Sequence, residues 1–327
     1  MNKQSVEPEK LSLAILGAGG IGCYYGARLA KAGHGVSFIA RGEHLVALQQ
    51  NGLVLKHPDF DYQDAVEAYD INTLTRDYTP ADFDAIIVCI KATATQEIAA
   101  TLKSWFTESG ESTMIVSLQN GVDNEPQLAS SLGGDLIVGG LAVRIGGHIV
   151  RSGVVEATGV AQIILGAWPA SYDANEKSGD LKIVRLAEEF NEAGIPTRKV
   201  DNIRHELWRK LIINNGVNPL SALTGLDTHS LSHHPRFGHI VQQLMKETAM
   251  AAMADSEALT EKDADEMYEL ICDFDPIKTS MLVDLEKGRK LEVDAICGVV
   301  IERAKKLGIS VPYTETVYAL LKNRLGE

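Results

Sequence analysis

A short apolar run followed at once by closely spaced glycines constrains this 327-residue chain more than any other feature. Residues 11–16 read L-S-L-A-I-L and residues 17–22 read G-A-G-G-I-G. An apolar run of that length, bounded by glycines, reads as a buried parallel strand. A helix is expected next, over residues 21–32, closed by Gly33. Gly17, Gly19 and Gly22 then form G-x-G-x-x-G in the strand–turn–helix setting in which that pattern binds a dinucleotide. Each glycine has its own task. Gly17 permits the tight turn, Gly19 lets backbone approach a pyrophosphate, and Gly22 lets the helix pack close to the strand. Ala18, Gly20 and Ile21 complete a loop whose N–H groups and positive helix end face the phosphates.

The same alternation continues along the chain. Strands are expected over residues 36–40, 85–90, 113–118 and 136–143. Helices are expected over 44–51, 95–105, 124–132 and 181–193. Strands alternating with helices predict a doubly wound parallel sheet, the Rossmann arrangement. Residues 148–164 carry β-branched residues and glycines with no helix between them, so antiparallel strands at a sheet edge are expected. Residues 171–180 read as an exposed loop. From residue 201 onward strand-like runs vanish and long helical segments follow. The expected fold is therefore α/β, with an N-terminal Rossmann domain over residues 1–200 and a C-terminal all-α domain over 201–327.

The second strand selects the cofactor. NAD sites place a carboxylate at its end, to bond the ribose hydroxyls. Here the strand ends F-I-A-R, and Arg41 can pair bidentately with a 2′-phosphate, which points to NADP. Glu43 is the nearest acid. The formal net charge of −13 runs opposite to the basic excess of nucleic-acid binders. No apolar stretch reaches the roughly 18 residues of a membrane span, and the polar first ten residues lack the apolar core of an export signal. Four cysteines without a C-x-x-C suit a reducing cytoplasm. Adjacent His233 and His234 lack spaced partners, so no metal site is expected.

In the helical half, Lys210, Asn214 and Asn218 recur at i, i+4 and i+8. That spacing puts them on one helix face. Asparagine is a mediocre helix former, which argues for a task other than helix stability. Two readings are open: a polar pocket wall with a proton donor, or a solvated face with an asparagine cap. Pro219 is expected to end or kink this helix. Ser280 reads as a residue of a first helical turn, and Glu292 as an acid at a helix start, where the dipole alone would favour it. The apolar-periodic helix over residues 236–255 serves core or subunit packing and leaves a homodimer open.

These residues carry a resemblance. N-I-R-H-E-L-W-R-K-L-I-I-N-N-G-V-N-P-L-S-A-L from Asn202 to Leu223 is similar to the signature helix of the ketopantoate reductase (2-dehydropantoate 2-reductase) family. S-M-x-x-D at Ser280, Met281 and Asp284, with Glu292 twelve residues after the serine, matches too. So do the glycine loop, Arg41, Lys91 ending I-V-C-I-K, and Q-N-G from Gln119 to Gly121. The resemblance spans nearly the whole chain. It implies NADPH-dependent reduction of a 2-oxo acid, ketopantoate first among them, and a step of pantothenate biosynthesis. Lys210 would be the general acid, and Glu292 would bond that lysine or the substrate hydroxyl. Asn214, Asn218 and Ser280 would hold the oxo acid, and Asn120 would stand near nicotinamide and substrate. Arg41 and Lys91 would lie on the adenosine-phosphate side. The chain departs from the pattern at Ile277, where many members carry Asn, at D-T-H-S-L over 227–231, and at Thr93 and Ala94. Two further readings stay open: a paralogous reductase of another 2-oxo acid or a β-hydroxyacid dehydrogenase, and a non-catalytic NADP sensor.

Overall fold

The computed structural model describes residues 10–168 and 177–326. The polar first nine residues and residues 171–176 of the expected loop lie outside them. The chain forms two compact units. The first comprises Met1–Ile90, Ala94–Gln119 and Gln127–Asp201, and the second Lys91–Thr93, Asn120–Pro126 and Asn202–Glu327.

The first unit is α/β. Strand β1 (Ser12–Leu16) runs into helix α1 (Gly20–Lys31) and strand β2 (Gly35–Ile39). Leu13, Ala14 and Ile15 have no exposed surface, as expected of a central strand covered on both faces. Helix α2 (Gly42–Asn51), strands β3 (Leu53–Lys56), β4 (Tyr62–Asp64) and β5 (Glu67–Tyr69), and helix α3 (Ile71–Asp77) follow. Next come β6 (Ala85–Val88), α4 (Thr95–Ser109), β7 (Met114–Ser117), α5 (Asn124–Leu132) and β8 (Ile137–Val143). Strands β9 (Gly146–Arg151), β10 (Val154–Thr158) and β11 (Gln162–Ala167), helix α6 (Lys177–Glu192) and strand β12 (Thr197–Lys199) close the unit.

The main sheet has the order β12-β11-β8-β7-β6-β1-β2-β5. Only the β8–β11 pair is antiparallel. The chain winds outward from β1 to β2 on one side and from β6 on the other. The order therefore reverses between β1 and β6, and the crevice at such a reversal is where open α/β sheets bind ligands. Gly17 sits there with φ +103°, and a Cβ on it would come within 2.9 Å of the Cys89 backbone.

Residues 148–164 do form strands, but not as one group at a sheet edge. β9 and β10 pair antiparallel in a separate four-stranded sheet, β4-β3-β10-β9, while β11 joins the main sheet with β12 outside it. The physical reason lies in glycine. A Cβ on Gly20 would stand 2.1 Å from the carbonyl carbon of Gly147, so β9 can lie against the start of α1 only because both residues lack side chains. The partner strands β3 and β4, of four and three residues, are too short to show a hydrophobic period.

After residue 202 the described residues of the second unit form helices joined by loops, with no strand among them. Helix α7 (Ile203–Thr224) is its axis, packed by α9 (Phe237–Ala251), α10 (Glu261–Cys272), α11 (Ser280–Glu286) and α13 (Pro312–Leu325). The short α8 (Thr228–Ser232) precedes α9, and α12 (Val299–Leu307) continues a π-helical stretch at Asp294–Gly298. Pro219 does not end α7, which runs on to Thr224 and stops at Gly225 in the left-handed conformation. An interior proline costs about 3 kcal/mol, and burial around it offsets that. Residues 215–222 are all buried, and Asn215 Nδ2 ties α7 to Thr248 and Thr314 at 2.9 and 3.2 Å. Arg324 Nη1 also donates to the carbonyls of Ala222 and Leu223 at 3.0 Å. Among the described residues, no helix is long and apolar enough to cross a membrane.

Gly20→Ala is expected to destabilise the protein without any cofactor present. Overpacking against fixed backbone costs about 1–3 kcal/mol, read as a lowered denaturant midpoint. An unchanged midpoint would show that β9 does not need the glycine.

Candidate active site

The glycine loop of the first unit is shaped by its own backbone. Gly17 and Ala18 donate to the Ile39 carbonyl at 3.1 and 2.9 Å, and Gly19 donates to the Gly17 carbonyl at 2.8 Å. Gly22 lies so close to β1 that a Cβ would stand 2.3 Å from the Gly17 oxygen. Gly19 differs: a Cβ there would meet nothing within 4 Å. Gly19 is also the N-cap of α1, no side chain caps it, and the first turn carries no acid. Open space beside an uncapped, positive helix end fits a phosphate. Ala18 is buried and Ile21 half-buried. The motif alone groups Gly20 with the ligand-facing residues, yet contact with Gly147 accounts for its missing side chain. Arg41 follows β2 as the N-cap of α2, exposed, with Glu43 in the next turn.

The second unit brings together the other candidates. Lys210 is half-buried on α7, with its ammonium end enclosed by protein. Burial lowers its pKa to about 8, and the negative charges of Glu292 and Glu125 oppose that shift. Asn214 is half-buried and Asn218 buried on the same helix. Burial along this face runs against a fully solvated one.

Glu292 directly precedes the helical run that begins at Val293, and it is buried. The Ala92 N–H donates to its Oε1 at 2.8 Å, and Lys91 Nζ lies 3.5 Å from its Oε2. Lys91 also donates to Asp284 in a short ion-paired hydrogen bond, and Asp284 lies 3.7 Å from Arg289. The resemblance groups Lys91 with Arg41, whereas the structure places it in the second unit with these two carboxylates. Ser280 is the first, exposed residue of α11. The cap of that helix is its neighbour Thr279, which accepts from the Leu282 N–H at 3.2 Å. Asn120 is half-buried, and its carbonyl accepts from Asn124 Nδ2 at 2.7 Å. Ile277 is 51% exposed and exchanges hydrogen bonds with Thr228.

Two carboxylates of the cluster have no role in the sequence reading. Asp284 stands there only as part of a spaced pattern. Glu125 has no exposed surface, yet as an acid in the first turn of α5 it is indistinguishable in sequence from a dipole-favoured surface residue. Only the fold shows that its charge reaches Lys210. Chemically, the cluster holds a lysine whose pKa is drawn down towards neutral pH, where an amine can release its proton, with Glu292 and Glu125 acting on it.

Glu292→Gln is expected to lower the Lys210 pKa further, because it removes the stronger of the two negative charges that oppose burial. The lysine titration followed by NMR of its Nζ measures this. An unshifted titration would mean that Glu292 does not act on the lysine.

The model of the family "Ketopantoate reductase PanE/ApbA" matches residues 13–170, and that of its C-terminal part matches residues 202–325. The chain is 30% identical to the 2-dehydropantoate 2-reductase of Pyrococcus horikoshii over 316 residues, covering 95% of this chain and 97% of that one. It is similar to a crystal structure of a PanE/ApbA family ketopantoate reductase from Ralstonia eutropha, with TM-score 0.81, 31% identity, and coverage of 95% and 97%. It shares its fold with a D-mandelate dehydrogenase solved with NADH and anilino(oxo)acetate, at TM-score 0.85, 22% identity, and coverage of 96% and 97%.

Proposed function

The chain belongs to the ketopantoate reductase family, and we propose that it reduces a 2-oxo acid with NADPH, using Lys210 as general acid and ketopantoate as leading substrate. It is an oxidoreductase of an NAD(P)-dependent family acting on a small-molecule substrate. The observation that carries the finer reading is the enclosed Lys210, with a pKa of about 8 beside Glu292.

NADPH, when bound, supplies the hydride to C2 of the oxo acid. The chain's own residues do the rest. Lys210 donates its proton to the C2 oxygen as negative charge develops there, and is left as a neutral amine that solvent reprotonates. Glu292 keeps the lysine charged, and the Ala92 N–H holds one of its carboxylate oxygens in place. Asn214, Asn218 and Ser280 hold the carboxylate and side chain of the oxo acid, and Asn120 orients its reacting end. The loop from Gly17 to Gly22 would hold the pyrophosphate, with Gly19 providing the room, and Arg41 would pair with the 2′-phosphate. Lys91 is engaged with Asp284 and Glu292, so a cofactor contact there requires it to exchange a partner.

A second substrate reading has one observation in its favour. Ile277 is an exposed apolar residue where many family members carry Asn, which favours an oxo acid with a more apolar side chain. Turnover of NADPH across a panel of 2-oxo acids, ketopantoate included, separates the two. A sensor without activity has no need of an enclosed proton donor, and NADPH binding without turnover of any oxo acid would revive that reading.

Lys210→Ala is expected to lower kcat by about 10²–10⁴-fold while NADPH binding survives, and near-normal turnover would remove lysine from the mechanism. The acid works only when protonated. Reduction by the wild type should therefore decline as pH rises through about 8, and a rate that stays level well above that would contradict the assignment. Arg41→Ala should weaken NADPH far more than NADH, and equal losses for both would argue against a 2′-phosphate contact.

A further inference from the structure

One buried cation of the second unit has no task in this scheme. Arg303 lies in α12 with 9% of its side chain exposed. Its Nε donates to Asp255 at 3.0 Å, and its Nη1 lies 3.4 Å from Glu302. Its Nη2 donates to Asp123 in a short hydrogen bond. A guanidinium buried this deeply is held only when its fork is paired, and three carboxylates pair it.

Asp123 gives the arrangement its meaning. It belongs to Asn120–Pro126, a segment that counts with the second unit although the chain on either side counts with the first. The same helical run grips that segment a second time. Ala295, in the π-helical stretch that leads into α12, presents its carbonyl to Gly121, where a Cβ would stand 3.2 Å from the oxygen. Gly121 has φ +98°, so a side chain there would be strained as well as crowded. π-Stretches occur frequently at functional sites, and this one begins two residues after Glu292. The gripped segment carries Asn120 at one end and Glu125, whose charge acts on Lys210, near the other.

We propose that Asp123 and Arg303 are positioning residues for the reaction: their ion pair fixes Asn120–Pro126 against the helical run that starts beside Glu292, and so sets where Asn120 and Glu125 stand. What the segment positions rests on the reductase reading above. That the pair holds the segment does not.

Asp123→Ala and Asp123→Asn are the informative variants. Arg303 keeps Asp255 and Glu302 in both, and the Asp123 side chain is 35% exposed, so the fold is expected to survive. Arg303→Met strips the cation from all three acids and is expected to unfold. Two measurements are made on the full-length wild type and both variants: hydrogen exchange of the peptide spanning residues 119–126, and steady-state kinetics with NADPH and a turned-over 2-oxo acid. The proposal expects faster exchange confined to that peptide. It also expects kcat/KM for the oxo acid to fall about tenfold or more, since a displacement of about 1 Å can cost a hundredfold, with NADPH affinity unchanged. Asp123→Asn, which keeps a hydrogen bond, should fall between wild type and Asp123→Ala. Unchanged exchange overturns the tie. Faster exchange with unchanged kcat/KM overturns the positioning role, and equal losses for NADPH and oxo acid reduce the pair to general stability. If the wild type turns over no oxo acid, the reductase reading fails, while the exchange data still decide whether the pair holds the segment.

Discussion

The chemistry proposed for the second unit depends on one balance, between the burial of Lys210 and the charge around it. Burial alone would drive the ammonium towards neutrality, and free solvation would leave it a poor acid at neutral pH. The structure sets the lysine between those limits by enclosing its charged end and supplying Glu292 and Glu125 nearby. Glu292 is held by a backbone N–H from Ala92, and Glu125 lies buried in the first turn of α5. The lysine itself stands on α7, whose passage through Pro219 is sustained by buried packing on all sides.

That balance explains why short pieces of chain from elsewhere join the helical unit. Lys91–Thr93 follows β6, and Asn120–Pro126 follows β7. The first delivers the Ala92 N–H and the Lys91 ammonium to Glu292. The second delivers Asn120 and Glu125, and is held by Asp123 and Gly121. In doubly wound folds, functional groups gather just beyond the C-terminal ends of strands, because the scaffold there is rigid while the loops are free to vary. The same economy governs the dinucleotide loop of the first unit. Gly17, Gly20 and Gly22 are demanded by close contacts with the protein, and Gly19 alone borders open space.

Much of this molecule is legible in its residue order. Period and punctuation identify the parallel strands around β1 and β6, the glycine loop between β1 and α1, and the change to all-helical structure after residue 201, because each is a local pattern of apolar spacing and turn residues. The i, i+4, i+8 spacing of Lys210, Asn214 and Asn218 puts them on one face, since helix geometry is local. The remainder rests on partners distant in the chain. β9 of the second sheet lies against α1 because Gly147 can touch Gly20. The helix survives Pro219 because Thr248 and Thr314 hold Asn215. Thr279 caps α11 by accepting from the Leu282 N–H, ahead of Ser280 in the first turn. Lys91 meets Asp284 across 193 positions of chain, and Glu292 from farther still. The state of Lys210 depends on Glu125, whose sequence context signals only a helix start. Electrostatics acts through space rather than along the chain, so the residues could be named from their order, but their charges and neighbours could be assigned only once the fold had brought them together.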